Sequence, residues 1–142
     1  MRTTTITKSA FFHASRETVW EFLTNKDKLG EWYYPAEADF VEGEDYCLYR
    51  VDDTGAKVPQ ITGRVIELKA PVKLVTTFVI GPFNGAETTI TWTLEEAADG
   101  TRLLLTHEGI AEAAGAAAMH LLMALDDGWD KHLADLRGAV AK

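Results

Sequence analysis

A strand-like run near the end of the chain, Gly100 to Gly109, is followed by one long helical pattern. Side chains alternate across an extended strand, so Leu103, Leu105 and His107 share one face. The helical pattern has a single apolar stripe, because its apolar residues recur at three- and four-residue intervals. The stripe consists of Ala118, Leu121, Leu122, Leu125, Trp129, Leu133, Leu136 and Val140. A helix with such a stripe needs a large partner surface, so we predict that it packs across a sheet.

The earlier part of the chain predicts one strand, two short helices and a meander. Residues 4 to 13 mix Thr, Ile and Phe and favour a strand, after which Ser15 is a good N-cap for a helix through Thr24. A second helix is predicted from Asn25 to Trp32, and Pro35 would end it. Between Ala38 and Glu108, strand-like runs are separated by Gly, Pro, Asn and Asp, which is typical of an antiparallel meander.

The length and composition favour one domain spanning residues 1 to 142, because 46% apolar content is enough for an ordinary core. The small residues 111 to 118 favour the first turns of the long helix, since Ala is the best helix former. A mobile entrance loop is the alternative for this stretch.

Charge and residue types exclude several functional classes. The formal net charge of −8, with scattered Lys and Arg, argues against nucleic-acid binding. No run approaches the roughly 18 apolar residues of a membrane span, and the N-terminus lacks a signal-peptide pattern, so we predict a cytoplasmic protein. Cys47 has no second cysteine to pair with, and no histidines show the H-E-x-x-H spacing. We therefore predict neither a metal site nor a cofactor.

Short motifs over nearly the whole chain point to a known family. They are Val19-Trp20, Phe22-Leu23-Thr24, Glu31-Trp32-Tyr33, Ile61-Thr62-Gly63-Arg64-Val65, Pro71 with Leu74, Thr91-Trp92-Thr93-Leu94, Gly100-Thr101-Arg102-Leu103, Thr106-His107-Glu108-Gly109 and Gly128-Trp129. Together they resemble the START-like (SRPBCC) superfamily, in the branch related to the C-terminal domain of the activator of Hsp90 ATPase. The resemblance implies an α+β helix-grip fold, in which a curved antiparallel sheet of about six to seven strands wraps the C-terminal helix and leaves a cavity.

His107 is the strongest single candidate for catalytic chemistry. Strand alternation aims it inward, where it could bind a ligand's polar group or act as a general base. Alternatively, it anchors the strand-to-helix connection, because buried polar groups are normally hydrogen-bonded. A nucleophile elbow is absent, and the only serines are Ser9 and Ser15. Of the other histidines, His132 lies at the edge of the apolar stripe and could reach the cavity mouth.

Seven residues are expected to line the cavity and bind a ligand. They are Trp32, Tyr34, Phe78, Trp92, His107, Met123 and Trp129. Trp and Tyr rings with polar edges suit a hydrophobic ligand with a polar tip, although most aromatic residues in small domains fill the core. Met123 lies on the flank of the stripe, where a flexible thioether can adapt to a guest.

Three functions stay open. The first is binding of a small hydrophobic or aromatic molecule, lipid-like or polyketide-like, between sheet and helix. The second is a cyclase/aromatase- or hydrolase-like enzyme, which needs His107 or a carboxylate in the cavity with a perturbed pKa. The third is an Hsp90-activator-like or stress-response interaction module, which needs an exposed apolar patch around Tyr33, Pro35 and Gly81-Pro82-Phe83. A homodimer through that patch also stays open.

Overall fold

A computed structural model describes residues 4–141, and within them six strands form one antiparallel sheet. The strands are β1 (Ile6–Phe12), β2 (Asp45–Val51), β3 (Lys57–Lys69), β4 (Lys73–Phe78), β5 (Thr88–Ala97) and β6 (Gly100–Glu108). The α-helices are α1 (Arg16–Thr24), α2 (Lys26–Trp32), α3 (Ile110–Ala114) and α4 (Ala118–Val140), with 3-10 turns at Gly81–Phe83 and Gly115–Ala117. The predicted α+β helix-grip architecture is therefore confirmed.

The sheet order is β1-β6-β5-β4-β3-β2, so the first two strands form its opposite edges. Helices α1 and α2 carry the chain from one edge to the other, and the remaining strands follow as a meander. Strand β1 pairs with β6, with Ile6 opposite His107 and Phe12 opposite Thr101. Register shifts at Leu48/Tyr49 and Val65/Glu67 interrupt the ladders, and such irregularities increase the local twist of a sheet.

Side-chain capping starts the two short helices where the sequence predicts. The Ser15 hydroxyl accepts a hydrogen bond from the Thr18 N–H at 3.2 Å, which satisfies one free donor at the start of α1. The Asn25 side chain accepts bonds from the N–H groups of Asp27 and Lys28 at 3.0 and 3.1 Å. Asn25 therefore ends α1 and begins α2.

The link between β6 and the long helix differs from the prediction. Residues 111 to 117 form the end of the short α3 and a 3-10 turn rather than the first turns of α4, which begins only at Ala118. Gly115 adopts φ +58 and ψ −121, a conformation that glycine tolerates and that cannot continue an α-helix, so α3 ends there. The meander also begins later than predicted, at Asp45 rather than near Ala38, because turns and an isolated bridge precede β2.

The inner face of the sheet and the stripe of α4 form the core. Ile90, Trp92 and Leu94 of β5 are buried, and so are Leu103 and Leu105 of β6, as the alternation predicts. The buried residues of α4 that complete the core are Leu121, Trp129, Leu133, Leu136 and Ala139. Burying each large aliphatic side chain contributes about 1.5–3 kcal/mol. No helix in residues 4–141 combines the length and the apolarity that crossing a membrane requires.

Gly63 provides a test of the close packing in the sheet. A Cβ atom at Gly63 would meet the carbonyl oxygen of Thr77 and lie 2.8 Å from the Tyr46 ring. Gly63→Ala should lower the free energy of unfolding by about 3 kcal/mol, because backbone atoms must move. Urea denaturation measures the change. Gly81→Ala is the matched control, since nothing lies within 4 Å of the added atom; equal stability of the two variants would contradict the packing.

Candidate ligand-binding site

His107 is completely buried, and both of its ring nitrogens are hydrogen-bonded. The indole N–H of Trp129 donates to Nδ1 at 3.1 Å. Because an indole nitrogen can only donate, Nδ1 is the acceptor and the ring proton of the neutral imidazole sits on Nε2. Nε2–H donates to the Thr88 hydroxyl at 2.8 Å, and that hydroxyl donates to the Phe78 carbonyl at 2.8 Å. This chain of bonds joins α4 to β6, β5 and β4.

The environment of His107 matches the anchoring role that the sequence left open. Burial lowers its pKa to about 4, so the ring is neutral at neutral pH. It has no free nitrogen to offer a ligand or a substrate proton, and it lines neither of the pockets between α4 and the sheet. His107 therefore lies outside the lining of both pockets, where its two anchoring bonds use both nitrogens.

Two adjoining pockets lie between the sheet, α2 and α4. The inner pocket has a volume of about 20 Å³, which is room for roughly one water molecule. Its lining residues are Leu23, Leu29, Trp32, Tyr33, Phe40, Tyr46, Leu48, Ile61, Thr76, Phe78, Ile90, Trp92 and Trp129. The outer pocket has a volume of about 100 Å³. Its lining residues are Tyr33, Tyr34, Gln60, Ile61, Phe78, Ile80, Leu125, Gly128, Trp129 and His132. The two share four residues, so they form one space that side chains divide.

Five of the seven expected lining residues lie at these pockets. Trp32 and Trp92 line the inner pocket, Tyr34 lines the outer one, and Phe78 and Trp129 line both. The rings of Trp92 and Trp129 meet edge to face, with centroids 5.5 Å apart. The inner pocket is small because such contacts already fill most of the space beneath α4.

Met123 does not line the cavity. Its side chain is 63% exposed and lies on the solvent side of α4. Met123 lies six positions before Trp129. At 3.6 residues per turn, this places it about 120° around the helix from Trp129 and so away from the buried stripe. The expectation was therefore wrong, because a position on the flank of the stripe already faces water.

Tyr33 is the most important pocket residue that the expected lining omits. The interaction-module alternative needs it in an exposed patch, whereas the structure has it half-buried and lining both pockets. It follows the last residue of α2, so helical spacing no longer predicts its direction. The run Trp32-Tyr33-Tyr34 was the available signal, because three successive aromatic residues must point in different directions and not all can face solvent.

His132 lines the outer pocket and carries a buried ring nitrogen, Nδ1, without a hydrogen-bond partner among the residues that the structure describes. Burial lowers the pKa of His132, and the positive charge of Lys131 lowers it further, while Asp135 and the Trp32 carbonyl oppose the shift. The imidazole is therefore neutral near pH 7. A buried polar atom without a partner costs free energy, and a polar guest would remove that cost.

The acidic cluster on the outer face of α4 is separate from the pockets. Within residues 4–141, Asp126, Asp127 and Asp130 are the one group close enough together to hold a metal ion, and all three are exposed. The Lys8 ammonium lies 2.9 Å from a carboxylate oxygen of both Asp126 and Asp130. Lys8 therefore already neutralises part of this charge.

A sheet that grips a long C-terminal helix above a small aromatic-lined space defines a START-like helix-grip protein. Residues 13–141 match the family model described as Activator of Hsp90 ATPase homolog 1-like protein. The chain belongs to that family.

Solved structures share the fold at low sequence identity. CalU16 from Micromonospora echinospora has a TM-score of 0.76 and 20% identity, covering 96% of this chain and 75% of that one. DynU16, a protein in the dynemicin biosynthetic locus, has a TM-score of 0.79 and 18% identity, covering 99% of this chain and 48% of that one. A protein from Chromobacterium violaceum has a TM-score of 0.76 and 22% identity, covering 98% of both. These likenesses show the fold alone. No curated protein matches the chain.

The depressed pKa of His107 predicts a specific pH dependence of stability. Its pKa is about 4 in the folded state against an ordinary value of 6.5, so between these values only the unfolded chain binds a proton. The contribution of this shift to the free energy of unfolding is complete above pH 6.5. It falls by about 3 kcal/mol in all as the pH drops towards 4.

His107→Gln isolates this effect, because the amide can accept from Trp129 and donate to Thr88 but does not titrate. Urea denaturation from pH 7.5 to 4 should show wild type losing its stability advantage over the variant. A constant difference across that range would contradict the assignment.

Proposed function

We propose that this protein binds a small hydrophobic or aromatic molecule, lipid-like or polyketide-like, between α4 and the sheet. The observation that carries the proposal is the aromatic-lined space that continues from the inner to the outer pocket. Its walls are largely apolar, and a few polar residues, such as Gln60 and His132, line the outer part; the Nδ1 atom of His132 is buried without a partner among the described residues. Ligand sites in proteins combine apolar walls with a few polar groups in this way.

The volume of the space limits the guest. Typical ligand pockets have volumes of about 300–1,000 Å³, and an apolar cavity of about 150 Å³ is enough for benzene. The outer pocket, at about 100 Å³, is smaller than either. A ligand must therefore be small or displace side chains on entry. Tyr33 and Tyr34 are the natural candidates to move, because they precede an irregular connection rather than lying within a helix or strand.

The chemistry at the pockets favours binding over catalysis. Among the described residues, no carboxylate lines either pocket, and both nitrogens of His107 are already hydrogen-bonded. General acid–base catalysis needs a titratable group within hydrogen-bond reach of the substrate. His132 is the one histidine at the pockets, and it has no carboxylate beside it in their lining.

The residues named for an interaction surface offer less apolar area than that alternative needs. Phe83 is only 2% exposed and belongs to the core, and Tyr33 is half-buried at the pockets. An interaction module needs a large exposed apolar patch, so these positions support ligand binding more than docking. The likeness to DynU16, a protein of a biosynthetic locus, is compatible with a small-molecule guest.

Two glycines of α4 provide a matched test of the proposal. Gly128 lines the outer pocket, so we expect a side chain added there to fill part of it. Gly138 is exposed outside both pockets, and nothing lies within 4 Å of a Cβ at either position. Gly128→Leu and Gly138→Leu should each raise the free energy of unfolding by about 0.5–1 kcal/mol, because Gly disfavours a helix interior. Only Gly128→Leu should block the ligand site.

The binding measurement uses the neutral fluorescent probe N-phenyl-1-naphthylamine, with native mass spectrometry for stoichiometry. Wild type and Gly138→Leu should bind one molecule with similar affinity, and Gly128→Leu should bind at least about tenfold more weakly. No binding to wild type, or equal binding to all three proteins, would contradict the proposed site.

A further inference from the structure

The phenol ring of Tyr33 is surrounded by four other aromatic rings. It stacks almost parallel on Trp32, with centroids 4.9 Å apart and 15° between the planes. It meets the imidazole of His132 edge to face at 4.7 Å and 75°. The rings of Tyr34 and Trp129 lie 5.0 and 5.6 Å away. Parallel and edge-to-face contacts at these separations are the arrangements in which aromatic rings attract one another.

Tyr33 is also shared by the two pockets. It lines both of them, together with Ile61, Phe78 and Trp129. The three other residues lie on β3, β4 and α4, whereas Tyr33 follows the end of α2. Rotation of this one side chain would join the inner and outer pockets and vacate a slot the size of a phenol.

The surroundings of Tyr33 are suited to a neutral hydroxyl group. Burial raises the pKa of the Tyr33 hydroxyl well above its usual value, and the nearby hydroxyls of Tyr46 and Tyr34 oppose its ionisation further. Among the described residues, no Lys or Arg lines either pocket. An anion there would lose its hydration without gaining a counter-ion.

We infer that the ligand is a planar aromatic molecule carrying a neutral hydroxyl group, and that it binds by displacing the Tyr33 ring from between Trp32 and His132. Without a ligand, the Tyr33 ring occupies the position that the ring of the ligand would take. This inference rests on the proposed function and specifies the ligand class of the same site.

The hydroxyl preference follows from the unpaired Nδ1 of His132. A hydroxyl group both donates and accepts, so it can pair with this nitrogen in either tautomer of the imidazole. A purely apolar ring leaves the nitrogen unpaired, and a site with an unpaired buried polar group discriminates against such a guest. An aromatic carboxylate should also bind poorly, because no Lys or Arg among the described residues lines the pockets to pair with its charge.

Competition by Tyr33 follows from population arithmetic. A ligand can bind only to the fraction of molecules in which the Tyr33 ring has moved away from Trp32 and His132. The apparent dissociation constant is therefore the intrinsic one divided by that fraction. Removing the Tyr33 ring should therefore tighten binding of every planar guest. Removing the His132 nitrogens should instead abolish the preference for a hydroxyl.

The test measures the binding of 2-naphthol, naphthalene and 2-naphthoate by NMR titration. The proteins are wild type, Tyr33→Ala, Tyr33→Leu, His132→Phe and the control Tyr49→Ala, whose tyrosine lies on β2 outside both pockets. Tyr33→Leu keeps an apolar side chain in case Tyr33→Ala does not fold. Thermal unfolding identifies the variants that are folded.

Wild type should bind 2-naphthol about tenfold more tightly than naphthalene or 2-naphthoate. The folded Tyr33 variant should bind 2-naphthol and naphthalene about tenfold more tightly than Tyr49→Ala does. His132→Phe should bind 2-naphthol no better than naphthalene. Chemical-shift changes should centre on Trp32, Trp129 and residues beside position 33.

Two outcomes overturn the inference while the proposed function stands. One is equal binding of 2-naphthol and naphthalene to wild type, with both blocked by Gly128→Leu. The other is an affinity of the Tyr33 variants no higher than that of Tyr49→Ala. If none of the three compounds binds any variant and N-phenyl-1-naphthylamine also fails to bind, the proposed function falls together with the inference.

Discussion

The hydrogen-bond chain from Trp129 through His107 and Thr88 to the Phe78 carbonyl is the constraint on which the rest of the interior depends. A buried imidazole is costly unless both nitrogens are paired, and each partner here comes from a different element. The pairing therefore fixes how α4 is rotated over the sheet. It also fixes the position of the Trp129 ring, which forms a wall of both pockets.

That rotation leaves little free space beneath α4. Trp92 and Trp129 meet edge to face, and Trp32 lies edge-on to Trp92 at 6.1 Å. The inner pocket is consequently almost closed, and the usable volume lies at the outer pocket beside Tyr33 and His132. The part of the site that can adapt to a guest is therefore the part formed by side chains near the end of α2, while the strands and α4 form fixed walls.

Membership of the Hsp90 activator-like family establishes the fold of this chain, but one scaffold can host unrelated functions. The function has to be argued from the chemistry of the site. Here that chemistry consists of aromatic walls, a neutral histidine with an unpaired nitrogen, and no lining carboxylate, lysine or arginine among the described residues. This chemistry is the basis on which we propose the binding of a neutral planar molecule.

The sequence by itself determined the fold, because alternation in β5 and β6, capping at Ser15 and Asn25, and the apolar stripe of α4 are local patterns with direct structural meaning. It also placed His107 inside and five aromatic residues at the pockets. Only the tertiary structure decided that His107 is an anchor, that Met123 faces water and that Tyr33 lines both pockets. The role of His107 depends on which atoms meet across distant elements, the exposure of Met123 on the rotation of α4, and the position of Tyr33 on a side chain beyond the end of a helix. Local periodicity encodes none of these.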